Sequence, residues 1–282
     1  MTTVKNILSA YFFRDFLFFS IQCGGFMGSF NKIFLTILIL STLSLPPTKA
    51  QYGRTTFHNT IGWYGYFGTI QLNKKWGLHT EYQFRRSDLI TNWQQGLLRL
   101  GVNYQASPTL LLRVGYAMAE TYPYGEVPIN ALGRGYTEHR FYEMAQLTQK
   151  EGKFDIIHRF MLEQRFIGRY SSPAKMHEDE FPISHRMRYM LRLQMPFKGK
   201  TIQDKSWYAA AYDEIHIGFG KNVGANTFDQ NRLGLLLGYR FNPQFRLEGG
   251  YLNQTLQFGR LINNRNIFQS NSGIIVNANF SF

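Results

Sequence analysis

Charged residues recur at even spacing along two neighbouring stretches of this chain. Residues 154–170 read FDIIHRFMLEQRFIGRY, with Arg159, Glu163 and Arg165 in step. Residues 185–195 repeat the pattern with Arg186, Arg188, Arg192 and Gln194. The side-chain period of an extended strand is two, so each set shares one face. Glu214, His216, Arg232 and Glu248 fall in step on later stretches, and Glu81 on an earlier one. Two kinds of chemistry suit such a set. Arginines and glutamates facing each other across strands form a ladder of ion pairs that replaces an apolar core. Alternatively, they line a selective passage or a pocket for an anionic ligand. The ladder is the simpler reading. It comprises Arg159, Glu163, Arg165, Arg186, Arg188, Arg192, Glu214, His216, Arg232 and Glu248.

Catalysis has less to rest on. A serine nucleophile needs a histidine base held beside it. The His-x-Ser spacing of outer-membrane lipid hydrolases is absent. His58-Asn59-Thr60 comes nearest, and Ser184 and His185 alternate onto opposite faces. Asp213, Glu214 and His216 share a stretch, as in proteases that work at a barrel rim. A Glu and a His two apart are more simply a hydrogen-bonded pair. His177-Glu178-Asp179-Glu180 holds carboxylates that suit a hard cation, but such a run in a long connection reads as a solvated loop. Tyr122-Pro123-Tyr124 reads as aromatic girdle rather than a sugar platform. The expectation is no catalytic residue, no metal and no cofactor, with an outer-membrane hydrolase as the alternative.

These faces must be positioned by strands. From Gln51 onward, apolar and polar residues alternate in stretches of about 10 to 16 residues. Met187, Tyr189, Leu191, Leu193 and Met195 oppose the arginines of residues 185–195. Leu233, Leu235, Leu237, Tyr239 and Phe241 oppose Arg232, Gly234, Gly238 and Arg240. Short connections fall at 73–75, 107–108, 151–152 and 242–244, with a longer one at 198–205. Long connections fall near 87–92, 122–137, 171–182, 221–229 and 259–266. Alternation of short and long connections is the hairpin pattern of an all-β, transmembrane, antiparallel up-and-down barrel. An antiparallel sandwich gives no reason for it. A charge on the lipid face at mid-membrane costs about 2–4 kcal/mol, so the charged faces point into the lumen. Eleven strands are legible. Residues 51–72 read as two short strands broken near Ile61-Gly62, which brings the count to about twelve, within a range of ten to twelve. At that size long Arg and Glu side chains fill the lumen.

The two ends agree with export. The last stretch, SGIIVNANFSF, alternates to a carboxyl-terminal aromatic, and Phe280 and Phe282 read as the signal presented to barrel-assembly machinery. Residues 33–45 are an apolar run too short to span a bilayer as a helix. Pro46, Pro47 and Thr48-Lys49-Ala50 follow, as at a signal-peptide cleavage site. The expected organisation is an upstream extension from a misassigned start, 1–26, a signal peptide, 27–50, cleaved after Ala50, and a barrel, 51–282. Cys23 is the only cysteine, so the mature part would have no disulfide or thiolate site. The net charge is +13, yet lysines and arginines are scattered singly, which argues against nucleic acid. Outer-membrane lipid and lipopolysaccharide are the expected surroundings, and no particular ligand is indicated.

Three motifs carry a family resemblance: HRFMLEQRF at 158–166, RMRYMLRLQMPF at 186–197, and QNRLGLLLGYRFNPQFRLEGGYLNQ at 230–254. They resemble the domain of unknown function 2490 family of Bacteroidota outer-membrane proteins, over roughly 52–282. The resemblance implies a barrel in the bacterial outer membrane. It implies no reaction, ligand or catalytic residue. The function expected is therefore structural or surface interaction around a charge-filled lumen. A narrow channel or transporter for a small anionic solute is the alternative.

Overall fold

The computed structural model describes residues 53–223 and 227–282; the expected extension and signal peptide lie outside them. Eleven strands follow one another: β1 Gly53–Gln71, β2 Trp76–Ser87, β3 Asn92–Ser107, β4 Leu110–Thr121, β5 Tyr136–Glu151, β6 Phe154–Ile167, β7 Ile183–Pro196, β8 Ser206–Phe219, β9 Phe228–Asn242, β10 Phe245–Ile262 and β11 Arg265–Ser281. They close into a barrel, with no helix among the described residues. Each strand pairs antiparallel with its neighbours in the chain. At the seam β1 and β11 run parallel, from Gly53↔Arg265 to Thr69↔Ser281.

Among the described residues the count is eleven, within the expected ten to twelve, and the break expected at Ile61-Gly62 is absent because β1 continues through it. Gly62 marks a close approach instead of a break. A Cβ there would lie 2.1 Å from the Leu89 carbonyl oxygen. The connection 88–91 leans on β1 at this point, and Asp88 N donates to Thr60 O at 2.8 Å. Across the seam a Cβ on Gly273 would meet Ile61 O at 1.7 Å. An odd count with a parallel seam means that β1 and β11 start at the same end of the barrel.

That end carries the connections 88–91, 122–135, 168–182, 220–227 and 263–264. The opposite end carries 72–75, 108–109, 152–153, 197–205 and 243–244. The turns at 72–75 and 243–244 share a device in which a side-chain oxygen accepts from the backbone two and three residues on. Asn73 Oδ1 accepts from Lys75 N and Trp76 N at 2.9 and 3.0 Å. Asn242 Oδ1 does the same for Gln244 N and Phe245 N at 3.0 and 2.8 Å. The long connection expected at 259–266 is instead a two-residue turn. Asn263 and Asn264 have φ of 50° and 56°, which suits the tight hairpin turn that matches strand twist. The strands therefore run on to Ile262 and from Arg265.

The two faces of the wall differ in an unusual sense. Leu98, Leu100, Val114, Phe141, Met187, Leu233, Leu235, Leu237 and Ile274 are exposed on the outside. Glu81, Glu138, Arg140, Glu163, Arg186, Arg188, Glu214 and His216 are buried within. Aromatic rings collect near both ends of the strands. At the short-turn end Trp207, Tyr239, Phe241, Phe245 and Phe280 follow one another with centroids 4.7 to 5.0 Å apart. At the other end Phe84 packs on Trp93 at 4.6 Å, and Trp93 on Tyr122 at 5.5 Å.

Inside, tyrosines lie across glycines of the adjacent strand. Tyr212 pairs in register with Gly234 and Tyr208 with Gly238; a Cβ on either glycine would sit 2.2 Å from the ring. Tyr142 likewise faces Gly115. Ile61, Trp63, Ala210, Leu236, Leu252 and Ile275 form an apolar cluster on the seam side of the lumen.

Candidate functional site

The lumen is the site, and carboxylates organise it. Glu163, on β6, is wholly buried. It accepts from Arg186 Nε at 2.7 Å and from Arg188 Nη1 at 3.0 Å, both on β7. Their alternation brings the pair in, because Glu163 and Arg186 are in direct register. Glu214, on β8, accepts from Arg188 Nη2 at 2.7 Å and Arg159 Nη2 at 3.0 Å. His216 Nε2 lies 3.2 Å from its other oxygen, and Arg232 Nη1 3.6 Å. Glu248, on β10, binds Arg192 and accepts from Tyr208 OH at 2.7 Å. Arg165 is held by Glu138. The ten residues read from spacing thus fall into three groups, around Glu163 with Glu214, around Glu248, and around Glu138, which holds Arg165.

Spacing alone did not single out Glu138, Arg140 or Asp229. Glu138 accepts from Arg140 Nε at 2.7 Å, and Asp229 from Arg186 Nη1 at 2.6 Å. A signal was present, since Glu138, Arg140 and Tyr142 are in step on β5. It was masked by Glu143, an acid on the outward face of the same strand. Glu81 holds Arg99 at 2.6 Å and His79 at 3.1 Å.

Glu214 and His216 do come together, but Arg188, Arg159 and Arg232 surround the carboxylate. His216 Nδ1 is 3.3 Å from Gln230. Ser184 is buried, whereas His185 stacks on Phe219 outside, with centroids 5.4 Å apart. Asp213 faces outward and accepts from Asn231 at 2.8 Å. In the connection 168–182, Glu178 accepts from Thr137 N at 2.5 Å, and Asp179 from Ser171 N at 2.8 Å. Those Ser171 donors hold the Asp179 carboxyl down at about 2. These acids serve separate backbone donors. Among the described residues no three His, Cys, Asp or Glu side chains are placed to share a metal ion.

The connection 122–135 crosses the mouth of the barrel. Tyr122 stays in the outer aromatic ring, but Tyr124 turns inward and its hydroxyl accepts from Asn271 at 3.2 Å. Gln269 donates to Val127 O at 3.0 Å, and Arg260 to Pro128 O at 2.8 Å. These partners lie on β10 and β11, away from the strands the loop joins. Beneath and beside it is a cavity of about 770 Å³. Trp63, Arg85 and Arg232 lie on its inner side, and residues 168–170 and 221–223 contribute to its rim.

Comparison with known proteins gives one match. A family described as "Protein of unknown function (DUF2490)" matches residues 60–264. No curated protein and no solved structure matches the chain. The match spans the wall from within β1 to the last turn, including every residue of the lumen network named above. This chain belongs to the DUF2490 family of proteins of unknown function.

Proposed function

We propose that this protein spans the bacterial outer membrane as a non-enzymatic barrel. Its lumen is filled by an ion-pair network, and it acts through its long-loop end. The observation that carries the reading is the inverted distribution of polarity. Exposed Leu, Val, Met and Phe cover the wall, and charged side chains are buried inside. In water this arrangement exposes a continuous apolar belt. In lipid it is the required one, because aliphatic side chains face hydrocarbon and aromatic rings sit at both interfaces. Closure also supports it, since a closed sheet leaves no backbone group unpaired in hydrocarbon. Glu143 and Asp213 face outward at mid-strand, and each accepts from an amide of the next strand, Gln164 at 3.2 Å and Asn231 at 2.8 Å. The network argues for a filled lumen, because its carboxylates are each held by cations from other strands.

A narrow anion passage is the second reading. It is favoured by Arg85, which faces the lumen with no carboxylate bonded to it among the described residues. Conductance in planar bilayers separates the two. The filled barrel gives no steady single-channel current, and anion-selective steps would establish the passage.

A further inference from the structure

We propose that the cavity at the long-loop end is a binding site for a soluble polyanion, a solute bearing two or more phosphate or carboxylate groups. The charges lining the cavity divide into a paired set and an unpaired one. Two carboxylates line the cavity, Glu138 and Asp229. Both are already held: Glu138 by Arg140 and Arg165, Asp229 by Arg186 at 2.6 Å and Arg165 at 3.7 Å. Four other lining cations, Arg85, Arg169, Lys221 and Arg260, have no such partner among the described residues. Arg85 is 5% exposed. Its guanidinium donates to the amide oxygens of Gln83 and Gln95, at 2.6 to 2.9 Å, which carry no charge. Arg260 donates to the Pro128 and Ile129 carbonyls of the crossing loop. Arg169 and Lys221 stand exposed at the rim.

The floor sharpens the case. Arg85 and Arg232 both lie over the Trp63 indole, at 3.8 and 4.9 Å from the ring centroid. Arg232 has one carboxylate near it, Glu214, at 3.6 Å. Two guanidiniums are thus gathered on one ring, in a buried place, without a carboxylate between them. Buried charge is costly unless paired, and guanidinium forks match carboxylate and phosphate oxygens in pairs. An oxyanion entering from the mouth would supply the missing partner. The cavity is in the size range of small-molecule sites. The rim cations would draw anions toward it.

The test is titration of the refolded barrel in lipid-free detergent with inorganic pyrophosphate, at matched ionic strength with chloride as control. Heat and Trp63 fluorescence are the two readouts. Saturable binding is expected, with a fluorescence change that is lost in Trp63→Phe. Arg85→Gln should weaken it by about tenfold or more, the scale of one charge-assisted hydrogen bond. Arg169→Gln with Lys221→Gln should weaken it severalfold and flatten its salt dependence. Absence of saturable binding by the wild type overturns the proposal, as does unchanged affinity in a folded Arg85→Gln protein. Should Arg85→Gln not fold, the rim double variant decides, and an unchanged affinity there is fatal. Folding is read separately by gel migration, so failure here leaves the membrane reading standing.

Discussion

Glu163 is wholly buried and joins Arg186 to Arg188. Removing its carboxylate leaves Arg186 with Asp229 and Arg188 with Glu214, and one positive charge uncompensated among the buried arginines. Breaking one side of a buried pair costs about 3–5 kcal/mol, more than replacing both sides. Glu163→Ala should therefore lower stability in urea titrations by that order, and Glu163→Leu with Arg188→Met should recover part of the loss. If the lumen is a passage instead, Glu163→Ala keeps its stability and raises anion current. The glycines under tyrosines make a second point. Gly234→Ala drives a methyl into the Tyr212 ring, at 2.2 Å. A loss of about 1–3 kcal/mol is expected, as for overpacking elsewhere, with recovery in a Gly234→Ala, Tyr212→Leu double variant. Equal stability of Gly234→Ala and wild type would refute the slot. The charged ladder was legible because Arg159, Glu163 and Arg165 on β6 and Arg186, Arg188 and Arg192 on β7 keep a period of two, although Met161 and Met190 take inward places between them. The slots were not, because a glycine in a strand looks the same whether a ring covers it or not.

At the scale of elements, alternation was enough to place nearly every strand, and turn residues to place most connections. It fell short where backbone meets backbone. Gly62 looked like a break because the leaning of residues 88–91 on β1 is a long-range contact. Asn263-Asn264 looked like part of a loop because left-handed φ at both positions is not visible as polarity. The inward course of residues 122–135 had no signal in composition, since its anchors, Gln269 and Arg260, lie far along the chain. The terminal strand bears a prediction. Phe280 packs on Phe245 at 4.8 Å and Tyr66 at 5.6 Å. The Phe282 backbone closes the seam, donating to Thr69 O at 2.8 Å and accepting from Gln71 N at 2.7 Å. Aromatic pairs contribute about 0.5–1.5 kcal/mol beyond burial. Phe280→Ala should lower the fraction that migrates as a folded barrel in unboiled gels more than Phe282→Ala does, because Phe282's main-chain bonds survive. The reverse order would mean that the terminal ring matters for recognition rather than packing.

For the whole molecule, the parallel seam sets the ends apart. β1 starts at the long-loop end and β11 finishes at the short-turn end. A tag placed just before Gly53 should share a side of the membrane with residues 168–182, and a tag after Phe282 should lie on the other. A barrel that spans the membrane as proposed has its apolar wall covered by lipid, and cysteine labelling reads that directly. Leu235 is 51% exposed on the outer wall and Met176 is 81% exposed in the connection 168–182. With Cys23 changed to serine, Leu235→Cys and Met176→Cys are treated with a membrane-impermeant maleimide on intact cells. Met176→Cys should label, and Leu235→Cys should stay unlabelled until the membrane is dissolved and the barrel unfolded. Labelling of Leu235→Cys as fast as Met176→Cys in the folded protein would show water on that wall, and would contradict the account.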